Sequence, residues 1–369
     1  MTIPFLSLTA ATAELRAELD EAIGRVVSSG HYIGGPEVEA FEQEFAQFVG
    51  ARHCIGVGNG LDAITLSLIA AELPRGSKVL VPSNTFIATW LGASHAGLVP
   101  VPVEPDWRTH VVTAEAFAAA STRDVSAWLP VHLYGLPFDS VAMRAAARDA
   151  RVLLVEDAAQ VHGATVGGTR VGGHGSTATW SFYPGKNLGA LGDAGAVTTN
   201  DDALAEALRL LRNYGSAIKY EHLRIGFNSR LDPLQAAALR VRLRHLERWN
   251  ARRDAVARLY LRELAGVGDL RLPHTPEGRT HAWHLFVVRT AQRDALRAHL
   301  DAAGITSLIH YPTPPHQQRA YLGQVAPAGL EETERCAREV LSLPIGPHLS
   351  LDDAGQVVAA VRAFFTARR

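Results

Sequence analysis

The sequence predicts an α/β fold in which helices cover both faces of a parallel β-sheet. Short apolar runs alternate with segments of helical periodicity, and this alternation is typical of parallel sheets. Polar clusters follow directly after the apolar runs, which is where parallel sheets bind their ligands. The chain has 369 residues, more than one hydrophobic core usually supports, so we expect about two domains.

Two helices are predicted near the N-terminus because apolar residues recur there at helical spacing. The first runs from residue 15 to a stop at 28–30, and the second lies between Pro36 and Gly50. Apolar runs then predict buried strands at residues 53–57, 78–82, 98–103, 127–131 and 152–155.

A second, smaller domain is predicted in the C-terminal third of the chain. A long helical stretch over residues 232–264 leads into it. Its further predicted elements are strands at 285–288 and 306–309 and a final helix at 352–364. We therefore predict a larger domain over residues 1–245 and a smaller one over residues 246–369.

The charge balance argues against nucleic acid and membrane surfaces as partners, because both favour clustered basic charge. The chain has 36 basic and 37 acidic residues, for a net charge of −1. The N-terminal residues have no signal-peptide pattern and no apolar stretch is long enough to span a membrane, so a cytoplasmic protein is expected. Two cysteines cannot build a disulfide framework, and the histidine pairs lack other ligands at metal-binding spacing, so no metal site is expected.

Lys186 is the most informative residue, because it follows an aromatic run and lies among the glycines of the segment 181–195. A lysine held by an irregular, glycine-rich backbone suits covalent chemistry, namely a Schiff base to an aldehyde cofactor. A solvated loop lysine is the alternative. Three other segments favour the chemical interpretation.

Asp157 closes the apolar run 152–157, and a carboxylate at the end of a buried strand is costly unless a cation pairs with it. The pyridinium nitrogen of pyridoxal phosphate would be such a cation. Gln160 follows three residues later and could reach the ring hydroxyl beside the aldehyde. As an alternative, Asp157 could cap a helix that begins at Ala158.

The segment 56–63 is a glycine-rich turn between a strand and a helix, and it could form a cup for phosphate. Leu61 replaces the third glycine of the dinucleotide fingerprint, and the Gly-Lys-Ser/Thr of a P-loop is absent. A turn without a ligand remains the alternative. Phe86 follows another strand and could either stack on a flat ring or lie in the core, and the Ser181 hydroxyl could bind phosphate.

Together these residues resemble the sugar-nucleotide aminotransferases of the DegT type, which are fold type I pyridoxal-phosphate enzymes. The resemblance covers nearly the whole chain and includes the segments 56–63, 81–86, 130–135, 156–160, 181–195 and 226–232. It implies a large domain with a mostly parallel seven-stranded sheet between helices, followed by a smaller α+β C-terminal domain.

The resemblance also implies a role for each candidate. Lys186 would form the Schiff base and move the proton, Asp157 would pair with the pyridinium nitrogen, and Gln160 would pair with the ring hydroxyl. Phe86 would stack on the ring. The phosphate would be held by Gly60, Leu61, Ser181 and, from a second subunit, Asn228, so a homodimer with shared active sites is expected. Related dehydrases have histidine at the lysine position, so Lys186 favours transamination.

The segments 183–195, 309–316 and 343–348 resemble the subgroup that acts at C-3 of nucleotide-linked 3-keto-6-deoxyhexoses. We therefore expect amination of a dTDP-linked sugar with L-glutamate as the amino donor. The candidates for substrate contact are Tyr183, Lys219, Tyr220, His310 and Tyr311. The alternatives are an aminotransferase acting at C-4 or on a cyclitol, a non-catalytic cofactor-binding relative, and a dinucleotide-dependent oxidoreductase, against which the missing third glycine argues.

Overall fold

A computed structural model of the chain describes residues 2–175, 177–324 and 329–367. The helices are α1 (Leu8–Glu14), α2 (Arg16–Ser29), α3 (Pro36–Val49), α4 (Gly60–Ala70), α5 (Ile87–His95), α6 (Ala114–Ala120), α7 (Ser140–Ala150), α8 (Asp202–Leu211), α9 (Pro233–Leu243), α10 (Leu246–Glu263), α11 (Arg293–Ala302), α12 (Glu331–Glu339) and α13 (Leu351–Thr366). The strands are β1 (His53–Val57), β2 (Lys78–Pro82), β3 (Val99–Val103), β4 (Val125–Trp128), β5 (Leu153–Asp157), β6 (Thr165–Val166), β7 (Thr169–Arg170), β8 (Thr177–Ser181), β9 (Gly195–Thr199), β10 (Ser216–Ile218), β11 (Glu221–His222), β12 (Phe286–Arg289) and β13 (Val340–Leu343).

The main sheet has seven strands within the described residues, in the order β1-β9-β8-β5-β4-β2-β3. The neighbours from β8 through β5, β4 and β2 to β3 pair in parallel. Only β9 runs against its neighbours, since it pairs antiparallel with both β1 and β8. The predicted mostly parallel sheet is confirmed, and its strands other than β9 end at one common edge.

Both faces of this sheet are buried, as the alternating residues of β2 show. Val79 and Val81 pack in one cluster with Ile64 of α4 and Trp90 of α5. Leu80, between them, packs in another cluster with residues of α6 and α7. A strand with helices on both sides gains from apolar residues at every position, which explains why β2 is a continuous apolar run.

A cluster of aromatic rings fixes the end of β8, where the lysine segment begins. Phe182 is fully buried, and its ring lies edge-on to Phe41 at 5.3 Å and to Phe45 at 5.2 Å. Phe45 also lies edge-on to Trp180 at 5.1 Å. Edge-to-face contacts at these distances are favourable, so α3 anchors the chain on both sides of Ser181.

A second core lies in the C-terminal part of the chain. It combines Val256 and Tyr260 of α10 with residues of β12, β13, α11 and α13, and Ile3 joins it from the N-terminal end. Leu246, at the start of α10, instead belongs to the core of the large sheet. The boundary between residues 245 and 246 therefore remains a prediction, because α10 contributes to both cores.

Two predicted elements of this part are wrong. Residues 306–309 do not form a strand, because only Leu308 pairs there, through an isolated bridge to Ser342. The strand that pairs with β12 is β13, antiparallel. The predicted helix 232–264 is two helices, α9 and α10, which are separated at Arg244 and His245. Among the described residues, no helix is long and apolar enough to cross a membrane.

Candidate active site

The candidate site lies at the edge of the sheet where the parallel strands end. The segment after β1 begins α4, the segment after β2 begins α5, β5 ends at Asp157, and β8 ends at Ser181. These segments are far apart in sequence, but the parallel register brings their ends together. Most of the predicted cofactor residues thus share one region.

Lys186 lies in a turn, where its backbone N–H donates to the Tyr183 carbonyl oxygen at 2.8 Å. Loss of hydration lowers the pKa of its amine to about 8, and attraction to the nearby Asp157 carboxylate partly opposes this effect. With such a pKa, roughly a tenth of the amine is uncharged at neutral pH. A solvated loop lysine does not have this property, and an uncharged amine is the form that attacks an aldehyde.

Asp157 is 5% exposed and its two carboxylate oxygens are separately held. Oδ2 accepts a hydrogen bond from Thr89 Oγ1 at 2.9 Å, and Oδ1 accepts one from the Ala159 backbone N–H at 3.1 Å. Burial raises the pKa of this carboxyl group, while the two hydrogen bonds and Lys186 favour the charged form. No helix begins at Ala158, so the helix-cap alternative is wrong.

Gly60 and Ser181 bring the predicted phosphate-binding segments into contact. A Cβ atom on Gly60 would lie 2.6 Å from Ser181 Cβ and 3.2 Å from Ser181 Oγ. Asn59 caps α4 by accepting from the Asp62 N–H at 2.8 Å, and the N–H groups of Gly60 and Leu61 have no acceptor within the helix. A helix N-terminus beside a hydroxyl group suits a phosphate.

Phe86 is 51% exposed, so it is not a core residue. Its ring centroid lies 5.5 Å from that of Tyr311, at an interplanar angle of 41°.

Gln160 lies between two tyrosines: its Oε1 accepts from the Tyr134 backbone N–H at 2.6 Å, and its Nε2 donates to the Tyr311 hydroxyl at 3.0 Å. The second N–H of Gln160 Nε2 is available to an oxygen acceptor such as a ring hydroxyl.

The predicted substrate residues fall into two groups. His310 and Tyr311 belong to the site, because the His310 carbonyl accepts from the Tyr134 hydroxyl and Tyr311 contacts Gln160. Tyr183, 59% exposed, lies in the lysine segment itself.

The other group lies on and beside the β10–β11 hairpin. Lys219 Nζ lies 5.1 Å from the centroid of the Tyr220 ring, and Tyr220 is 83% exposed. Asn228 is exposed and forms a bridge with Asn213. None of these described contacts connects the hairpin residues to Lys186 within one chain.

Several residues around the site were not predicted from the sequence. Thr89 donates a hydrogen bond to Asp157, and the Tyr134 backbone N–H donates one to Gln160. Asn187, which directly follows Lys186, is buried. Thr89 could have been found from the sequence, because it lies three residues after Phe86 and therefore near the start of the helix that follows β2. Tyr134 and Asn187 lie in the segments 130–135 and 181–195, which carry the family resemblance, but that resemblance gave neither residue a role.

The residues considered for metal binding have other contacts. His281 stacks on Trp283 with ring centroids 3.8 Å apart. Within the described part of the chain, no group of three or more histidine, cysteine or acidic residues is arranged to hold a metal ion. Cys54 and Cys336 are both buried and free.

The fold and site define a class of protein, and comparison with known proteins identifies the family. Residues 13–362 match the model of the DegT/DnrJ/EryC1/StrS aminotransferase family. The chain belongs to this family and is an aminotransferase.

Several similar proteins match this chain over nearly their full length. The chain is 54% identical to the erythromycin biosynthesis sensory transduction protein EryC1 of Saccharopolyspora erythraea, over 98% of this chain and 100% of that protein. It is 52% identical to the dTDP-3-amino-3,4,6-trideoxy-alpha-D-glucose transaminase of Streptomyces venezuelae, over 98% of this chain and 95% of that protein. The solved structure of S. venezuelae DesV in complex with a ketimine intermediate has 52% identity and a TM-score of 0.97, and the match covers 98% of each chain.

The family depends on pyridoxal phosphate, and the residues of this site fit that group. The lysine amine has a lowered pKa, the buried Asp157 carboxylate can pair with a ring cation, and the start of α4 can accept a phosphate. The glycine at position 60 matters to this fit, because a side chain there would occupy the space beside Ser181.

Proposed function

We propose that the protein transfers an amino group from L-glutamate to C-3 of a nucleotide-linked 3-keto-6-deoxyhexose, with pyridoxal phosphate as cofactor. The observation that carries the chemistry is the proximity of a desolvated lysine amine, with a pKa of about 8, to the buried Asp157 carboxylate. The sugar, its C-3 position and the dTDP carrier are supported by the relative from S. venezuelae.

Lys186 has two tasks in this proposal. Its uncharged amine would hold the cofactor through the aldehyde carbon, with loss of water, and once the amine of glutamate takes its place, the free Lys186 amine would accept the proton from the donor's α-carbon. Pyridoxal phosphate supplies an aldehyde carbon for that bond and a ring that withdraws electrons from the reacting carbon. A pKa of about 8 suits both tasks, because the amine then takes up and releases protons near neutral pH.

The other cofactor residues orient the ring and its phosphate. Asp157 would hold the proton on the ring nitrogen, and Thr89 would keep the carboxylate in place. Gln160 would donate to the ring hydroxyl, with its amide orientation set by the Tyr134 N–H. Phe86 would lie against the ring, and the phosphate would be held by Gly60, Leu61 and Ser181.

A homodimer with shared active sites is part of the proposal. Apolar side chains on and beside the β10–β11 hairpin are exposed, among them Ile225 at 94%, Leu223 at 68% and Ile218 at 63%. Such a patch is costly in water and is typical of an interface. Docked on a second copy, the hairpin would bring Lys219, Tyr220 and Asn228 to the partner's site. A cytoplasmic location likewise stays part of the proposal.

The test of the cofactor chemistry uses the visible absorption of purified protein and of the Lys186→Ala variant. We expect wild type alone to show a visible band that borohydride removes, with the reduced cofactor then attached to Lys186 by mass spectrometry. We also expect L-glutamate to discharge that band with release of 2-oxoglutarate. Bound cofactor without this half-reaction would contradict an active aminotransferase.

The test of substrate position incubates the enzyme with dTDP-3-keto and dTDP-4-keto 6-deoxyhexoses and locates the new amine by NMR. Amination at C-3 is expected. A product aminated only at C-4, or turnover of a cyclitol ketone alone, would refute the assignment while leaving the cofactor chemistry intact.

Shared sites are tested by mixing Lys186→Ala chains with Asn228→Ala chains. A hybrid dimer has one site with both residues intact, so activity should return on mixing. Proven hybrid formation without any recovery would refute the role of Asn228 across the interface.

A further inference from the structure

Helix α10 passes from one core of the molecule to the other, close to the lysine segment. Its first residue, Leu246, belongs to the cluster that contains Phe182 and Leu188 of the lysine segment. Val256 and Tyr260 belong to the second core. Asn250 lies between these two sets of residues, one turn after Leu246, so its position depends on both cores.

The carboxamide of Asn250 joins the two loops that carry the chemistry. Its Oδ1 accepts from Asn187 Nδ2 at 2.9 Å, and its Nδ2 donates to the His162 carbonyl oxygen at 2.8 Å. Asn187 directly follows Lys186, and His162 lies in the turn that begins at Asp157. One side chain therefore bonds both to the residue that follows the lysine and to the segment that follows the carboxylate.

Gly163 allows this approach. It has a φ of +88°, and a Cβ atom there would lie 2.8 Å from Asn250 Nδ2. A side chain at residue 163 would therefore push the carboxamide away from the loop, and the left-handed conformation also favours glycine.

Asn187 is 3% exposed, and both its Nδ2 and its Oδ1 have partners within the protein. Besides Asn250, its Nδ2 donates to the Ala282 carbonyl oxygen at 2.7 Å, and its Oδ1 lies 3.2 Å from His284 Nδ1. Because Oδ1 can only accept, His284 must carry its proton on Nδ1. Burial and the nearby cations hold the pKa of His284 well below its usual value, so the ring is neutral.

We propose that Asn250 is a positioning residue for Lys186: through Asn187 and His162 it holds the lysine turn against the Asp157 loop and connects both to the second core. This inference rests on the proposed function, because it concerns the same lysine. It also connects the second core to the lysine segment, because Asn250 and the second-core residues Val256 and Tyr260 lie on the same rigid helix, α10.

The test replaces Asn250 with leucine, which has a similar shape without polar atoms, and with serine, which retains one hydroxyl. Tyr260→Phe is the matched control, because it removes a buried hydrogen bond, from Tyr260 Oη to the Pro344 carbonyl at 2.9 Å, on the same helix within the second core. Urea unfolding of each variant establishes that it is folded at the assay temperature.

The main readout is the pH dependence of Lys186 acetylation in cofactor-free protein, measured by peptide mass spectrometry. In wild type the reactivity should have its midpoint at about 8. In Asn250→Leu the freed turn exposes the amine to water, so the midpoint should move up toward the ordinary lysine value of 10.5, with Asn250→Ser intermediate. In the loaded enzyme, kcat should fall roughly ten- to a hundredfold with KM changed far less, because small misplacements of reacting groups have effects of this size.

An unchanged midpoint in both folded Asn250 variants would overturn the proposal. An equal shift in Tyr260→Phe would also overturn it, because the effect would then follow helix stability and not position. Failure of borohydride trapping in wild type would instead refute the proposed cofactor chemistry, and the acetylation profile can still be read in that case because it needs no cofactor.

Discussion

Gly60 and Ser181 lie in direct contact, so that a Cβ atom on Gly60 would be 2.6 Å from Ser181 Cβ. One residue begins α4 and the other ends β8. The contact places a helix N-terminus beside a hydroxyl group with no side chain between them. Residue 60 must therefore be glycine, because any side chain there would overlap Ser181.

Gly60→Ala should weaken cofactor binding at least about tenfold, since the methyl group displaces Ser181 from the phosphate position. Overpacking of this kind also costs about 1–3 kcal/mol of stability. The measurements are a spectroscopic titration of cofactor-free protein with pyridoxal phosphate and urea unfolding. Gly355→Ala is the control, because Gly355 is inside α13 with open space around it, and it should keep full affinity. Equal affinities in the two variants would contradict the phosphate assignment.

Thr89→Val should lower cofactor affinity and kcat by roughly tenfold each, because the Asp157 carboxylate loses its side-chain donor and its pKa rises further. The lost hydrogen bond to a charged group costs about 1.5–3 kcal/mol of stability. Thr290→Val is the matched control: Thr290 is buried and its Oγ1 donates to Asp269 Oδ1 at 2.6 Å. If both variants lose stability and both retain full kcat, Thr89 has no part in the chemistry.

The stability of cofactor-free protein should depend on pH through Lys186. Its pKa is about 8 in the folded chain and takes the ordinary value of 10.5 when unfolded, so between these values the unfolded state binds more protons. The free energy of unfolding, relative to that of Lys186→Met, should therefore rise from pH 8 to pH 10.5 and stay level below pH 8. Urea unfolding of both proteins across pH 7–10.5 measures this, and a constant difference between them would show that the amine is not desolvated.

Ile225→Asp should convert the proposed dimer to monomers, because it places a charge in the most exposed apolar position of the hairpin region. Sedimentation velocity at micromolar concentration measures the change. Val141→Asp is the control, since Val141 is also an exposed apolar residue, 60% exposed on α7 and outside the hairpin region, and it should leave the proposed dimer intact. A monomeric wild type would refute the shared-site proposal directly.

The strands β1 to β5 of the large sheet were predictable because each overlaps an apolar run between glycine, proline or polar residues. Strands β8 and β9 were not predicted, because both contain threonines and neither is a continuous apolar run. The bounds of β1 and β2 agree with the predicted ones residue for residue, and β5 differs by one or two residues at each end. The pairing of β12 was not predictable. Residues 306–309 have a strand-like composition, but β13 takes the position beside β12, and the choice depends on which segment the helices bring there.

The sequence by itself determined the type of sheet and the family, and it predicted Lys186 and Asp157 as the two central residues of the site. These follow from local patterns, since the periodicity of a strand and the chemistry of a residue at its end are properties of short segments. Tertiary structure alone decided how the lysine is held. Asn250 lies 63 positions from Asn187, and Gln160 lies 151 positions from Tyr311, so no local pattern marks either contact. Such contacts, and the desolvation that lowers the pKa of Lys186, exist only once folding brings distant segments together.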